Sequence, residues 1–180
     1  MIKEATLGES HPEYAATVCN TGVVYYSMGR YEKPLQMYEK CRVTQKAILG
    51  KKHPEYAATL NNIGLVYYSM ARYEEALQMY EKCRVIQEET LGKNHPSYAT
   101  NLCNIGLVYN SIGRYKEALQ MYEECRVVRE ATLGKSHPEY ATILGNLGLI
   151  YKQMGRYEDA LRMYEECRVI DEATLGKSHP

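Results

Sequence analysis

The sequence predicts an all-α fold, a solenoid of stacked antiparallel helix pairs, and three observations carry that expectation. The dipeptide His-Pro recurs at His11-Pro12, His53-Pro54, His95-Pro96, His137-Pro138 and His179-Pro180, each time 42 residues on. Between these marks apolar residues fall at steps of three and four, which is the spacing of one helical face. No stretch alternates with period two, so no strand is expected.

The repeat sets the domain organisation. Four full units follow, 11–52, 53–94, 95–136 and 137–178, with 1–10 matching the tail of a preceding unit and 179–180 the start of another, all within a single domain. Neighbouring units agree at about 30 of 42 positions, too close for ancient divergence, so the array is recently duplicated or is a piece of a longer near-identical one.

Within 53–94 the elements read in order. Pro54 suits a first helical turn, where its missing N–H costs nothing. Tyr56, Ala57, Leu60, Ile63, Gly64, Tyr67 and Met70 then mark one face. The helix breaks at Met70-Ala71-Arg72, where the other units carry Gly29, Gly113 or Gly155, a helix C-terminal signal. A second helix starts near Tyr73-Glu74-Glu75, with acidic residues suited to a helix N-terminus. Its apolar face runs Ala76, Leu77, Tyr80, Cys83, Ile86 and Leu91, and Gly92 ends it. One such pair cannot bury its own apolar face, whereas stacked pairs can. Gly22, Gly64, Gly106 and Gly148 sit mid-helix at a cost of roughly 1 kcal/mol each against Ala. Repeating that cost implies a backbone that must approach another closely. Ala76, Ala118 and Ala160 serve the second helix in the same way. The first unit has Pro34 there, tolerable in a first turn but weakening the local packing.

Composition bounds the function. The 22 basic and 22 acidic side chains balance, which gives no electrostatic reason to expect nucleic acid or an anionic membrane as partner. Hydrophobic residues make up 45% of the chain, enough for a folded protein. The longest apolar run, near Ile63 to Tyr68, is far short of the roughly 20 residues a membrane helix needs. Met1 to Ala5 has no apolar stretch after its charge, so no secretory signal is read there and a cytoplasmic location is expected. With 18 Tyr and no Phe or Trp, tyrosine supplies the large-side-chain burial. Many rings should then lie half-buried with the hydroxyl at the surface.

The pattern Leu60-x-x-Ile63-Gly64-x-x-Tyr67, then Tyr73-x-x-Ala76-x-x-x-Tyr80-x-x-Cys83, resembles the tetratricopeptide repeat, a helix–turn–helix unit of 34 residues. Leu60 stands where that family usually has Trp. Eight extra residues lengthen the second helix through Gln87 to Gly92. The longer unit, joined by Leu-Gly-x-x-His-Pro, is similar to the kinesin light chain subtype. The resemblance covers essentially the whole chain and implies a right-handed superhelix with first helices lining a concave groove. It further implies a scaffold that binds a peptide or partner protein there. Carried onto this chain, the groove holds Asn20, Asn62, Asn104 and Asn146, beside them Val23, Leu65, Leu107 and Leu149, then Tyr26, Tyr68, Asn110 and Lys152. The asparagines can pair with a peptide backbone, each offering donor and acceptor, or bond the neighbouring helix and shape the stack. Lys152 is the single cation of this set, so a neutral peptide with an apolar anchor touching Tyr26 and Tyr68 is expected.

No catalytic chemistry, metal or cofactor is expected. Cys41, Cys83, Cys125 and Cys167 are one position repeated, and equivalent sites in adjacent units should lie about 10 Å apart, beyond the roughly 7 Å a disulfide allows. Cys19 and Cys103 occupy one site in units one and three, farther apart still. All six therefore read as reduced, buried thiols. The histidines, each before a proline at a helix start, can cap or pack but do not converge on a metal. Gly134-Lys135-Ser136 and Gly176-Lys177-Ser178 mimic the end of a phosphate loop, but Arg129 and Asp171 replace the upstream glycine. Arg30, Arg72, Arg114 and Arg156 mark the turns, and Arg42, Arg84, Arg126 and Arg168 stand three residues after Glu39, Glu81, Glu123 and Glu165. These pairs read as a solvated, helix-supporting face.

The ends suggest a second role. No polar capping helix is read at either one, and the stub from Ile2 to Leu7 and the last helix, with Leu161, Tyr164, Ile170 and Leu175, are complementary. Molecules could then stack head-to-tail in an open chain. A partner-binding scaffold is thus the first reading, and a structural spacer or self-associating array the second.

Overall fold

Three of the first helices in the pairs start at His-Pro in one way. In the computed structural model, which describes residues 12–175, His53, His95 and His137 hold extended backbone (ψ near 140°) immediately before a helix that begins at the following proline. An extended residue is what a following proline enforces. The imidazole then closes the cap: Nδ1 accepts the backbone N–H of Glu55, Ser97 and Glu139 at 3.2, 3.1 and 3.1 Å. Each histidine thereby satisfies one of the donors that a helix N-terminus leaves open.

Eight helices lie among the described residues: α1 (Pro12–Ser27), α2 (Glu32–Ile48), α3 (Pro54–Ser69), α4 (Tyr73–Thr90), α5 (Pro96–Ser111), α6 (Tyr115–Leu133), α7 (Pro138–Gln153) and α8 (Tyr157–Leu175). None of those residues forms a strand. The chain divides into two compact units, Met1–Thr90 and Leu91–Pro180, each holding four of the helices. In the first unit α1 pairs with α2, α3 with α4, and α2 packs on α3; in the second α5 pairs with α6, α7 with α8, and α6 packs on α7.

The turn inside each pair follows one plan. Gly29, Gly113 and Gly155 have φ of 70°, 76° and 73°, and Ala71 takes the same left-handed conformation at φ 56°. The N–H three residues past the helix end reaches back, Arg72 to Tyr67 and Arg114 to Tyr109 at 2.9 and 2.8 Å, the six-residue closure that a left-handed C′ residue permits. The arginine then folds over the ring it has just approached. Arg72, Arg114 and Arg156 sit 4.5, 4.7 and 4.5 Å from the centroids of Tyr67, Tyr109 and Tyr151. Arg72 and Arg114 also bond Glu75 and Glu117. Lys33 takes the place of that carboxylate in the first pair, and it is Lys33 that covers the ring there, 4.8 Å from Tyr25. The turn arginines thus do more than solvate a face.

Close packing inside each pair rests on a ring rather than on two backbones. A Cβ added to Gly22, Gly64, Gly106 or Gly148 would lie 2.7, 2.7, 3.0 or 2.8 Å from the ring of Tyr38, Tyr80, Tyr122 or Tyr164. The mid-helix glycines therefore make room for the tyrosine of the partner helix, which corrects the sequence expectation of backbone meeting backbone. The tyrosines divide. Tyr25, Tyr67 and Tyr109, among others, are half-buried as expected, whereas Tyr80, Tyr98, Tyr122 and Tyr140 are fully buried, and two of these find hydroxyl partners: Tyr98 donates to Glu124 at 2.8 Å, and Tyr140 accepts from Arg126. The aliphatic core lies between them, Leu60, Ile63 and Val66 in the first unit and Leu102, Ile105, Leu144, Leu147 and Ile150 in the second.

The second-helix ion pairs hold in three repeats, Arg42–Glu39, Arg84–Glu81 and Arg126–Glu123 at 2.7, 2.8 and 2.8 Å. In the fourth, Arg168 turns to Glu172 at 2.7 Å instead.

A methyl group at position 64 has nowhere to go, because Tyr80 is 1% exposed and its ring cannot retreat. Gly64→Ala is expected to lower the unfolding free energy by about 1–3 kcal/mol, the cost of overpacking, despite the helix propensity it gains; Gly145→Ala, with nothing within 4 Å of its added Cβ, should be neutral or stabilising. Urea unfolding of the two variants measures the difference.

Candidate functional site

The outward faces of the first helices follow from the inward ones. Leu60, Ile63 and Val66 point into the core of α3, so Asn62, Leu65 and Tyr68 turn outward and are half-buried. On α1 the same offsets leave Asn20 and Val23 exposed, the latter by 47%. On α5 and α7, Asn104 and Asn146 are half-buried, and Leu107 and Leu149 are each 36% exposed. Lys152 is exposed and Asn110 half-buried. Within each unit, then, the candidate residues share the exposed side of their helices, an asparagine and an apolar side chain on each.

Not all of this surface is free. Tyr26 packs on Tyr31 with ring centroids 5.6 Å apart, and its hydroxyl bonds Ser69 of α3 at 2.8 Å. Tyr68 packs on Tyr73 at 5.8 Å. Asn104 is likewise engaged within the fold. These tyrosines link helices as well as offering a ring edge.

The residues assigned to self-association divide. Leu161 and Tyr164 are 61% and 38% exposed on α8. Their counterparts on α6, Leu119 and Tyr122, belong to the core formed with Leu147, Ile150 and Tyr151 of α7. Ile170 is a correction: it is buried against Tyr140, Ala141 and Leu144 of its own unit and faces no outside partner. Ile2 and Leu7 lie outside the described residues, as does the side chain of Leu175. On α1, Val24 and Met28 are 60% and 55% exposed and line a hollow of ≈ 570 Å³ with Thr21 and Tyr25.

One hollow escaped the sequence reading. Between α2 and α4, over Tyr56 and Leu60 of α3, a depression of ≈ 670 Å³ is rimmed by Arg42, Lys46, Lys51, Lys52 and Lys82 against Glu81 and Glu89. Lys52 bonds Glu89 at 2.9 Å. At the matching positions of the second unit Lys46 becomes Glu130 and Lys82 becomes Glu166, while Tyr140 and Leu144 keep the apolar floor. The reversal of charge on an unchanged floor is the sequence signal that marks this hollow, and it favours anionic groups by simple Coulomb attraction.

The cysteines bring a further correction. Cys103 and Cys125 form a disulfide, with Cα atoms 6.3 Å apart. Distances between equivalent positions of adjacent repeats do exclude a bond, but the partner lies on the other helix of the same pair. Cys19 and Cys41 occupy the matching positions as free thiols. Cys83 is fully buried, and burial pushes its thiol up from 9.0 to about 12. Burial also pushes the Tyr38 phenol up from 10.0 to about 12.

Among the described residues, no three His, Cys, Asp or Glu side chains gather as metal ligands, and no helix is long and apolar enough to cross a membrane. The tetratricopeptide repeat profile matches residues 20–84, 55–126 and 113–173. The chain belongs to the tetratricopeptide repeat family. Members of this family generally act as protein-interaction scaffolds, and the all-α helix-pair fold agrees with it. No curated protein matches the sequence. Among solved structures, the chain is similar to the kinesin light chain protein of nearly identical TPR-like repeats from Podosopora anserina, at 24% identity over 96% of this chain and 82% of that one, with a TM-score of 0.80. It is also similar to BtubC from P. vanneervenii, at 21% identity over 94% and 68% of the two chains and a TM-score of 0.85. A third likeness is to the apo form of RapI, at 20% identity over 96% and 61% and a TM-score of 0.81. Identities this low speak for the fold alone.

Cys83 and Tyr38 are held neutral in the folded tetratricopeptide chain, while the unfolded chain releases their protons at ordinary values. The stability they contribute is complete below about pH 9 and is lost as pH rises toward about 12. The unfolding free energy should fall there by up to about 1.4 kcal/mol per pH unit for each group. Urea melts at successive pH values measure the slope, and Cys83→Ala should flatten it.

Proposed function

We propose that this chain binds a peptide segment of a partner protein along the exposed faces of its first helices. The observation that carries the reading is the outward apolar residue set beside an asparagine on every first helix, with Leu107 and Leu149 each 36% exposed in the second unit. An apolar anchor needs such a side chain for burial, and a peptide backbone needs a carboxamide that both donates and accepts. Variation supports it further: Tyr26, Tyr68, Asn110 and Lys152 occupy one position in four repeats that otherwise nearly coincide. A pure spacer has no reason to vary an outward site. The peptide would be neutral with an apolar anchor, and the chain would work in the cytoplasm without catalysing a reaction.

A second reading is favoured by the outer face of α8. Leu161 and Tyr164 are exposed where Leu119 and Tyr122 are covered by α7. Val24, Tyr25 and Met28 of α1 stand at the positions that Ile150, Tyr151 and Met154 use on α7 to cover that stripe. A second copy could therefore dock by its α1 on α8, repeating the internal joint.

Two measurements test these readings. Peptides selected from a random library on the intact chain should bind the double variant Leu107→Asp, Leu149→Asp about tenfold or more weakly by fluorescence anisotropy, with Lys46→Glu, Lys82→Glu as the control that leaves binding intact; unchanged affinity in the leucine variant overturns the proposal. In sedimentation velocity the mass should rise above 20.7 kDa with concentration, and Leu161→Asp should abolish the rise; a mass constant over a hundredfold range removes the stacking reading.

A further inference from the structure

Two of the four helix pairs carry a cysteine on each helix, facing one another. Cys103 of α5 and Cys125 of α6 are joined, and Cys19 of α1 and Cys41 of α2 are free thiols at the matching positions. The pairs correspond member for member, 84 residues apart in sequence. Their surroundings correspond too. Cys41 Sγ lies 3.2 Å from the carbonyl oxygen of Ala15, and Cys125 Sγ lies 3.1 Å from that of Ala99, the residue 26 positions earlier in both cases. The remaining pairs offer Asn61 and Gly145 at the first-helix position, so Cys83 and Cys167 have no sulfur to meet.

We propose that Cys19 and Cys41 form an oxidative modification site, a dithiol that accepts small-molecule disulfides and closes to the same cross-link that Cys103 and Cys125 already hold. The geometry that admits the bond is realised in the second unit, where Cα atoms 6.3 Å apart fall within the range a disulfide requires.

The two sulfurs have different roles. Cys19 is half-buried and within reach of a small oxidant, while Cys41 is 1% exposed. The hydrogen bond from Cys41 holds the Cys19 thiol below its ordinary range, and the same bond together with burial holds Cys41 above it. From α3, Thr59 Oγ1 stands 3.8 Å from Cys19 Sγ and the carboxylate of Glu55 opposes the thiolate, while Tyr38 adds a phenol from α2. Cys19 is therefore the attacking sulfur and Cys41 the resolving one.

The exchange balances without any further reagent. The Cys19 thiolate attacks one sulfur of RSSR; the S–S bond breaks, a mixed disulfide Cys19–S–SR forms and RS⁻ leaves. Cys41 loses its proton to water and attacks Cys19 Sγ, and the second RS⁻ leaves as the Cys19–Cys41 bond forms. Two protein thiols are oxidised, one small disulfide is reduced to two thiols, and the two protons released are taken up by the departing thiolates. The product ties α1 to α2 as α5 is tied to α6.

The test uses the full chain, fully reduced, then incubated with oxidised glutathione, unfolded and capped with N-ethylmaleimide before intact-mass and peptide-mass analysis. The expected result is two cross-linked peptides, Cys19–Cys41 and Cys103–Cys125, with caps on Cys83 and Cys167 alone. In Cys41→Ser, Cys19 should retain glutathione, because no second sulfur displaces it. In Cys19→Ser, Cys41 should end capped, without an adduct. Recovery of wild-type Cys19 and Cys41 both capped, under conditions that close Cys103–Cys125, overturns the proposal. So does a lasting glutathione adduct on wild-type Cys19, or a bond from either cysteine to one outside the pair. The wild-type map decides the matter by itself if a variant fails to fold.

Discussion

A tyrosine ring laid on a glycine holds each helix pair together. Tyr38, Tyr80, Tyr122 and Tyr164 of the second helices occupy the space a side chain would fill on Gly22, Gly64, Gly106 and Gly148 of the first. This contact fixes the spacing of the two helices, and other features follow from that spacing. It turns Leu60, Ile63 and Val66 inward, which leaves Asn62 and Leu65 outward. It also brings the position of Cys19 and Cys103 against that of Cys41 and Cys125. The glycine costs helix propensity in every repeat, and at Tyr38, Tyr80 and Tyr122 a buried aromatic ring, worth several times as much in removed surface, outweighs it.

The turns and caps are local devices that the tertiary structure reuses. Histidine and proline start the helix together, one by accepting a backbone N–H and the other by needing no partner for its own. At the other end of the first helix the left-handed residue brings the following arginine over a tyrosine one turn back. Ala71 shows that the conformation is imposed by the surroundings, since it adopts at φ 56° what glycine adopts elsewhere, at some cost for a residue with a Cβ. Lys33 shows the same for the ring contact, keeping a cation over Tyr25 although the usual carboxylate neighbour is missing.

Near-identity of the repeats makes each departure informative. Some buried positions do not vary at all, Tyr38, Tyr80 and Tyr122 being one and Tyr56, Tyr98 and Tyr140 another, because each must fit the same joint. Departures that change the chemistry stand at Tyr26, Tyr68, Asn110 and Lys152 on the first helices, and at Lys46 and Lys82 against Glu130 and Glu166 around a common apolar floor. The alternation of Cys19 and Cys103 with Asn61 and Gly145 is a third such departure, and it lies inside the helix pair rather than on its surface. A chain built of copies can thus present different chemistry from one framework, which suits a family whose members serve as interaction scaffolds.

The sequence by itself determined the helices, their starts and breaks, the pairing plan and the face each residue takes, because these depend on contacts only a few residues apart. The 42-residue period, the His-Pro starts and the glycine breaks needed no knowledge of the fold. Only the tertiary structure decided which neighbour each face meets. It put a tyrosine rather than a backbone on the mid-helix glycines, buried Tyr98 and Tyr140 completely, drew Ile170 into the core of its own unit, and joined Cys103 to Cys125. The reason is physical: helical periodicity gives the direction of a side chain around its own axis, whereas the axial offset between two packed helices comes from the shapes that fill the gap between them.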